Sequence, residues 1–410
     1  MKVVHVNEHL SIRGGVETYL HALLPQLQAV GVDCLYVYDK GEGASPFRTE
    51  RVPQIGRAAF GANPTVYRRL LQLLQDEQPD VVHVHNIQNV GVLQACLTYG
   101  PTILTTHDYR FICPASNFFF KRTREICTRP CVGPGCLWAT ARKRCMTLRP
   151  SHAPYFYYRA RWAIGNAKRL SAVVAPSEGT RKRLLAAGFE SSSLTVVPYF
   201  CPIEPAPIPR VAPRQPTITF VGRTALNKGA DVFVDALSLL PKSMQGVMVG
   251  NLDARGREDL ARRARELGCG ERLHFHPWSG REAVIRLLDS TTVLIFPSLW
   301  PETLGIVGLE ALSRGVPVVA SDVGGVREWL YPGKNGYLVP PKSPKHIAAA
   351  VEALISDPDG LDRLGYAAIR TITERFLPEH HIAALMALYQ QFPANDKLRS
   401  ASRALSETAP

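Results

Sequence analysis

The sequence predicts an α/β protein built from two facing, doubly wound, Rossmann-like parallel-sheet domains with a cleft between them. Three observations predict it. Apolar runs of strand length alternate with helix-period stretches from the first residues onward, and the alternation restarts after a proline-rich break. The 410 residues are enough for two or three cores, at roughly 100 to 200 residues per domain.

The first series covers residues 1–200. It opens with the strand "KVVHV" (2–6), a helix from about Val16 to Ala29, the strand "CLYVY" (34–38), a helix around 65–75 and the strand "DVVHVH" (80–85). "TILTT" (102–106), "AVVAPS" (172–177) and "LTVVP" (194–198) continue it. Between them, residues at about 108–170 are rich in Cys, Arg and aromatics and read as an insertion on this domain. The prolines of "PYFCPIEPAPIPRVAPRQP" exclude a helix interior or central strand, so 201–216 is an extended linker.

A second series covers 217–375: "TITFVG" (217–222), helix 230–240, "GVMVG" (246–250), helix 255–267, "RLHFH" (272–276), helix 280–289, "TVLIFPS" (292–298), helix 305–314 and "PVVAS" (316–320). A last helix lies within 376–392, expected to pack back toward the first domain, and 393–410 reads as a polar, disordered tail. Ligands of such sheets bind beyond the carboxyl ends of the strands, so the turns after each strand are where chemistry is expected.

Lys and Arg outnumber Asp and Glu 48 to 35, a net charge of +13. Such a surface attracts anions: phosphorylated ligands, anionic lipid or nucleic acid. No stretch reaches the roughly 18 apolar residues of a membrane span, and charge interrupts the amino end before a signal-peptide core forms. A cytoplasmic protein is expected. Nine cysteines in a cytosolic chain of this length argue against a disulfide scaffold.

Candidate chemistry follows the strand ends. In "SIRGGVETYL" (11–20), Gly14 and Gly15 precede a helix, where backbone amides and the helix dipole can meet an anion, although a plain tight turn has the same appearance. "FVGRTALNKGADVF" (220–233) places Arg223 and Lys228 between a strand and a helix, two cations where a diphosphate could sit. The loop is not a Walker loop, because its Lys precedes the Gly and no Ser or Thr follows. In "PSLWPETLGIVGLEALSRG" (297–315), Glu302 falls in the loop after a strand and Glu310 lies within an otherwise apolar helix. A carboxylate there is costly unless it is paired or accepts hydrogen bonds from hydroxyls; ribose would supply them, as would nearby backbone or Arg. Trp300 could line the same pocket or pack in the core.

Together, "RGGVETYL", "VGRTALNKG" and "PETLGIVGLEALSRGVPVVASDVGGVREWL" resemble the retaining glycosyltransferases of family 4, which have the two-domain GT-B fold. The resemblance covers nearly the whole chain. It implies that Arg223 and Lys228 hold the diphosphate of a nucleotide-sugar donor, Glu310 the ribose and Glu302 the sugar hydroxyls. The amides of Thr303, Leu304 and Gly305 would approach the phosphates, with Gly15 closing from the other domain. His107, in "LTTHDYRF" (104–111), matches the family's histidine that contacts the sugar, while His83 and His85 are weaker candidates on one face of their strand.

The implied reaction moves a sugar to a glycan or lipid-linked acceptor with retention of configuration, in polysaccharide or cell-envelope biosynthesis. No cofactor is expected for catalysis, since the sequence has no Asp-x-Asp at a strand end to hold a metal–diphosphate pair, and fixed cations can stabilise the leaving group. Alternatives are a nucleotide-sugar epimerase on the same fold, or a non-catalytic nucleotide- or metal-binding protein with a decayed site.

The insertion carries Cys113, Cys127, Cys131 and Cys136, then Cys145. Reduced thiols in Pro- and Gly-containing loops suit a structural zinc site, with an iron–sulfur cluster or plain thiols as the other readings. Around it, "FFFKRTR" (118–124) and "YFYYRARWAIGNAKRL" (155–170) interleave aromatics with cations, a composition suited to an anionic membrane surface or to buried aromatics with snorkelling Arg. Nucleic acid shares this composition, but the loops described above make it an improbable partner.

Overall fold

The computed structural model describes residues 1–392 apart from 13, 44, 59, 61–63, 148, 150–151, 208–214, 251–252 and 278–279. Part of the proline-rich linker and the tail expected at 393–410 therefore lie outside the described residues. The chain forms two compact units, Met1–Asn117 with Thr128–Pro198 and the segment from Pro378, and Phe118–Cys127 with Tyr199–Leu377.

The first unit runs β1 (Lys2–Val6), α1 (Gly15–Ala29), β2 (Asp33–Tyr38), β3 (Arg48–Arg51), α2 (Pro64–Glu77), β4 (Val81–Val84), α3 (Val90–Tyr99) and β5 (Thr102–Thr105). The insertion follows, with the hairpin β6 (Phe119–Phe120) and β7 (Glu125–Ile126) and the helices α4 (Pro134–Lys143) and α5 (Ala153–Gly165). β8 (Ala172–Ala175), α6 (Glu178–Ala186) and β9 (Leu194–Val196) complete a parallel sheet of order β3-β2-β1-β4-β5-β8-β9. Two helices of this unit start on a side-chain cap: the Asn89 side chain accepts from the Gly91 N–H and Ser177 from the Thr180 N–H.

The second unit runs β10 (Thr217–Val221), α7 (Ala230–Leu239), β11 (Gln245–Gly250), α8 (Ala254–Glu266), β12 (Leu273–Pro277), α9 (Arg281–Asp289), β13 (Val293–Phe296), α10 (Ile306–Ser313), β14 (Val318–Ser321), β15 (Gly336–Val339), α11 (Pro344–Ile355) and α12 (Pro358–Arg375). Its parallel sheet has the order β12-β11-β10-β13-β14-β15. Strands such as VLIF in β13 and VVAS in β14 are buried throughout, because helices cover both faces of such a sheet. The strand order reverses between β1 and β4 in the first sheet and between β10 and β13 in the second. Those two reversals open the crevices beside which ligands of this architecture bind.

α13 (Pro378–Tyr389) packs within the first unit. Its His381 Nε2 shares a hydrogen bond of 2.8 Å with Tyr19 Oη of α1, and its Tyr389 Oη one of 2.6 Å with His83 Nδ1 of β4. The insertion divides between the units. Its hairpin clusters with the second one, where Arg124 pairs with Asp231 at 2.7 Å and Lys342 Nζ donates to the Thr123 carbonyl at 3.0 Å. Among the described residues no helix is long and apolar enough to cross a membrane.

Candidate functional site

In the second unit the turns after β10 and β13 flank the strand-order reversal and are tied together by backbone. The Leu299 N–H donates to the Asn227 carbonyl at 2.8 Å. Gly229, at φ +72°, lies so close to the Pro297 carbonyl that an added Cβ would stand 2.0 Å from its oxygen. Lys228, next to that glycine, is thereby delivered to Glu302: its Nζ lies 2.7 Å from Glu302 Oε1 and 5.0 Å from the Trp300 ring centroid. Trp300 Nε1–H donates to the same oxygen at 2.6 Å, and the Ser298 hydroxyl donates to it as well. Glu302 is 3% exposed. All three donors reach Oε1, and none of the described residues donates to Oε2. A buried carboxylate held this way keeps one oxygen for an outside partner.

Glu302 continues into α10 through Gly305, which takes φ +103° as N-cap residue and supplies no side-chain cap. Trp329 Nε1–H occupies the Leu304 carbonyl at 2.7 Å, and Gly308 leaves room for the Trp329 ring. The N–H groups from Leu304 to Val307 find no acceptor among the described residues. Unaccepted amides at a helix start, beside the Lys228 cation, form a cradle for an anion.

Glu310 is the fifth residue of α10, about one turn in, because the helix begins at Ile306. It is buried, and no described residue donates to its carboxylate. Burial pushes its pKa up to about 7, opposed by the Arg281 charge. Of the two cations expected in the β10 turn, Lys228 is engaged, whereas Arg223 is exposed and makes no ion pair among the described residues. Thr303 and Leu304 are buried in the loop before α10.

In the first unit, Gly14 is the N-cap residue of α1 and Gly15 its first residue. The acidic group in that first turn is the buried Glu17, with its carboxylate 3.9 Å from where a Gly14 Cβ would stand. His107 follows β5 and is nearly buried. Its Nε2 shares a 3.0 Å hydrogen bond with His85 Nδ1, and His85 Nε2 shares one of 3.1 Å with His5 Nδ1. Parallel register places His5 directly beside His83, whose Nε2 shares a 2.7 Å bond with Thr105 Oγ1. His83 and His85 are thus packed polar groups, and His5 is the member of the chain not singled out in the sequence. Beyond β1, Glu8 and Asp108 flank Arg110, at 3.3 and 2.9 Å. Burial raises Glu8 to about 7 despite the Arg110 charge.

Burial lowers the pKa of His5 and His107 to about 3 and of His381 to about 4, and pulls His83 and His85 down as well. The folded chain keeps these five imidazoles neutral while the unfolded chain protonates them below about 6.5. Their contribution to stability is complete above that pH and is lost as pH falls toward 3. Glu8 and Glu310 act in the opposite sense: they hold protons when folded, so their contribution is present below the ordinary carboxylate range and lost as pH rises through about 7. Five groups against two decide the sign. The thermal midpoint is expected to fall continuously from pH 6.5 to pH 4; a flat profile would contradict the buried neutral histidines.

None of the nine cysteines is in a disulfide. Cys131 and Cys136 are neighbours at the start of α4, with the Cys136 thiol 3.8 Å from the Cys131 carbonyl oxygen, while Cys127 belongs to the hairpin in the second unit. Among the described residues the group of three metal-ligating side chains with converging donor atoms is His5, His83 and His85; Cys113, Cys131 and Cys136 do not form such a group. In the two aromatic–cationic runs of the insertion, Phe156, Tyr157, Tyr158 and Trp162 are half-buried. Phe118, Phe119, Phe120 and Tyr155 are buried, and so is Arg159, whose Nε donates to the Arg110 carbonyl at 3.0 Å.

A family model described as Glycosyltransferase Family 4 matches residues 13–204, and one described as Glycosyl transferases group 1 matches 206–371. A D-inositol 3-phosphate glycosyltransferase of Xylanimonas cellulosilytica is 34% identical over 178 residues, 43% of this chain and 42% of that protein. The alpha-D-kanosaminyltransferase of Streptomyces kanamyceticus is 31% identical over 153 residues, 37% of this chain and 39% of that protein. The chain spans less than half the length of these curated relatives. Among solved structures, Anabaena HepE in complex with UDP and glucose superposes with a TM-score of 0.72 at 18% identity, covering 95% of this chain and 99% of that one. WaaG, a glycosyltransferase involved in lipopolysaccharide biosynthesis, gives 0.65 at 18% identity, with 93% and 98% covered.

Proposed function

The chain belongs to the group 1 glycosyltransferases, family 4, with the GT-B fold, and from that membership we propose that it transfers a sugar from a nucleotide-sugar donor to a glycan or lipid-linked acceptor, with retention of configuration. The observation that carries the proposal is the second unit's cradle: Lys228 Nζ lies 2.7 Å from Glu302 Oε1, and the N–H groups of Leu304 to Val307, on the segment that continues from Glu302, have no acceptor among the described residues. Negative charge developing on a departing diphosphate is stabilised by fixed donors of this kind. Arg223, exposed and without an ion pair among the described residues, supplies a second cation to that diphosphate from the same loop as Lys228. Glu302 Oε2 accepts from a sugar hydroxyl, and Glu310, buried without a donor of its own, accepts from ribose hydroxyls. In the retaining reaction the leaving phosphate takes the acceptor's proton, so no side-chain base is assigned.

The neutral His107 imidazole suits hydrogen bonding to a hydroxyl better than proton donation. The names of the relatives favour transfer over epimerisation, and the assembled Glu302–Lys228 pair favours a working site over a decayed one.

The test is release of nucleoside diphosphate from a panel of UDP-, GDP-, ADP- and dTDP-sugars. One donor is expected to turn over slowly without acceptor. Glu310→Ala is expected to weaken that donor's binding about 10- to 100-fold, the worth of charge-assisted hydrogen bonds, and Arg223→Ala to lower turnover. Silence across the panel, with no donor binding by calorimetry, would refute the reading; unchanged donor affinity in Glu310→Ala would remove the ribose role alone.

A further inference from the structure

The insertion's helix α4 is built inside out on its solvent side. Its inward face is made by Cys136, Ala139, Thr140 and Lys143, which are buried or half-buried at the spacing of successive helical turns. The opposite face should be polar. Instead it presents Leu137, 62% exposed, and Trp138, 54% exposed, with the exposed Ala141 beside them. The cations lie one turn further along: the Arg142 guanidinium stands 5.7 Å from the Trp138 ring centroid, and Lys143 and Arg144 follow at the end of the helix.

Adjacent exposed Leu and Trp side chains on a ten-residue helix are not accounted for by packing within the unit. The charge around them selects the occupant. From Thr128 to Arg149 the chain has five basic residues and no acidic one, and Arg161 of α5 lies close enough to bias the Cys131 thiol at the foot of α4. We propose that the outer face of α4 inserts Leu137 and Trp138 into the interface of an anionic lipid bilayer, with Arg142 and Arg144 at the headgroup level. An indole at the boundary between acyl chain and headgroup, flanked by cations whose stems lie along it, matches the requirements of an interfacial helix. This places the membrane contact on α4 and not on the aromatic runs at 118–124 and 155–170, where Phe118, Phe119, Phe120 and Tyr155 are buried and Phe156, Tyr157, Tyr158 and Trp162 half-buried, whereas Leu137 and Trp138 are exposed. The inference does not depend on the transferase reading.

The test is co-sedimentation of the full chain with vesicles of phosphatidylcholine alone or with a quarter phosphatidylglycerol. Binding is expected only with the anionic lipid. The pair Leu137→Asp and Trp138→Ser should lose at least ten-fold in partitioning, and Arg142→Gln with Arg144→Gln about 30-fold, at ~1 kcal/mol per cation near the surface. Bromine-labelled acyl chains should quench the emission of the native protein and not that of Trp138→Phe, which preserves the helix. Binding unaffected by the Leu137 and Trp138 substitutions, quenching that persists in Trp138→Phe, or equal competition by a DNA duplex would each overturn the proposal. Donor turnover without vesicles should be unchanged in these variants, so a failure here and a failure of the transferase reading are separately visible.

Discussion

Lys228→Ala is expected to lower kcat for release of nucleoside diphosphate by about 10²- to 10³-fold, the loss associated with removing one preorganised donor from a developing anion. Lys228 is half-buried and has two partners at rest, the Glu302 carboxylate at 2.7 Å and the Trp300 ring at 5.0 Å. Removing the ammonium therefore has two effects. It takes a cation from the leaving group, and it leaves Glu302 with only the neutral donors Ser298 and Trp300. The second effect appears as a lower thermal midpoint, the first as a fall in kcat at saturating donor, so measuring both separates them. Lys228→Arg is expected to restore the midpoint better than the rate, because a planar fork does not reproduce the point charge. A kcat within about three-fold of the native value would show that Lys228 serves only to hold Glu302.

Gly324→Ala should cost on the order of 3 kcal/mol or more in stability and abolish donor binding, whereas Gly333→Ala should cost about 1 kcal/mol and leave binding intact. Both glycines have positive φ, +55° and +73°, so both replacements carry the strain of a side chain in that region. The difference lies in what surrounds them. A Cβ on Gly333 meets nothing within 4 Å, but one on Gly324 would stand 2.1 Å from the Glu302 carbonyl oxygen and 2.5 Å from the Glu302 nitrogen. These are backbone atoms that cannot rotate aside, and the neighbouring Gly325 N–H holds the same carbonyl at 2.8 Å. Relief of the clash must move Glu302 itself. Equal midpoints for the two variants would mean that the turn carrying Glu302 is soft, and with it the proposed geometry of the carboxylate.

The parts of the site that were legible are those written on one segment. Glu302 follows a buried strand, Glu310 interrupts an apolar helix, and Lys228 lies in the turn between β10 and α7; each is a local departure from a pattern that burial otherwise enforces. Central strands such as β1, β4 and β13 were readable for the same reason, since a parallel strand covered on both faces must be apolar throughout, whereas the exposed edge strand β3, RTER, carries no such pattern. Ser298 and Gly324 drew no notice. A serine at a strand end and a glycine in "DVGG" are ordinary turn residues, and their importance comes from atoms that folding brings to them. The thiols of the insertion are a different case: the spacing of Cys113, Cys127, Cys131 and Cys136 suits a metal site, and in the structure none of them is in a disulfide.

The sequence by itself determined that this chain would form two parallel, doubly wound units and that cations, glycines and carboxylates would lie in the segments after their strands, because hydrophobic period and turn chemistry act over a few residues. Tertiary structure alone decided which groups meet. It joined Lys228 to a carboxylate 74 positions away and left Arg223 in solvent, and it aligned His5 with His83 by register across β1 and β4. It also buried Phe118, Phe119, Phe120 and Tyr155 while leaving Trp138 outside. Pairing of this kind depends on sheet order and on close backbone approach at glycine, and neither has a signature in the local pattern of residues.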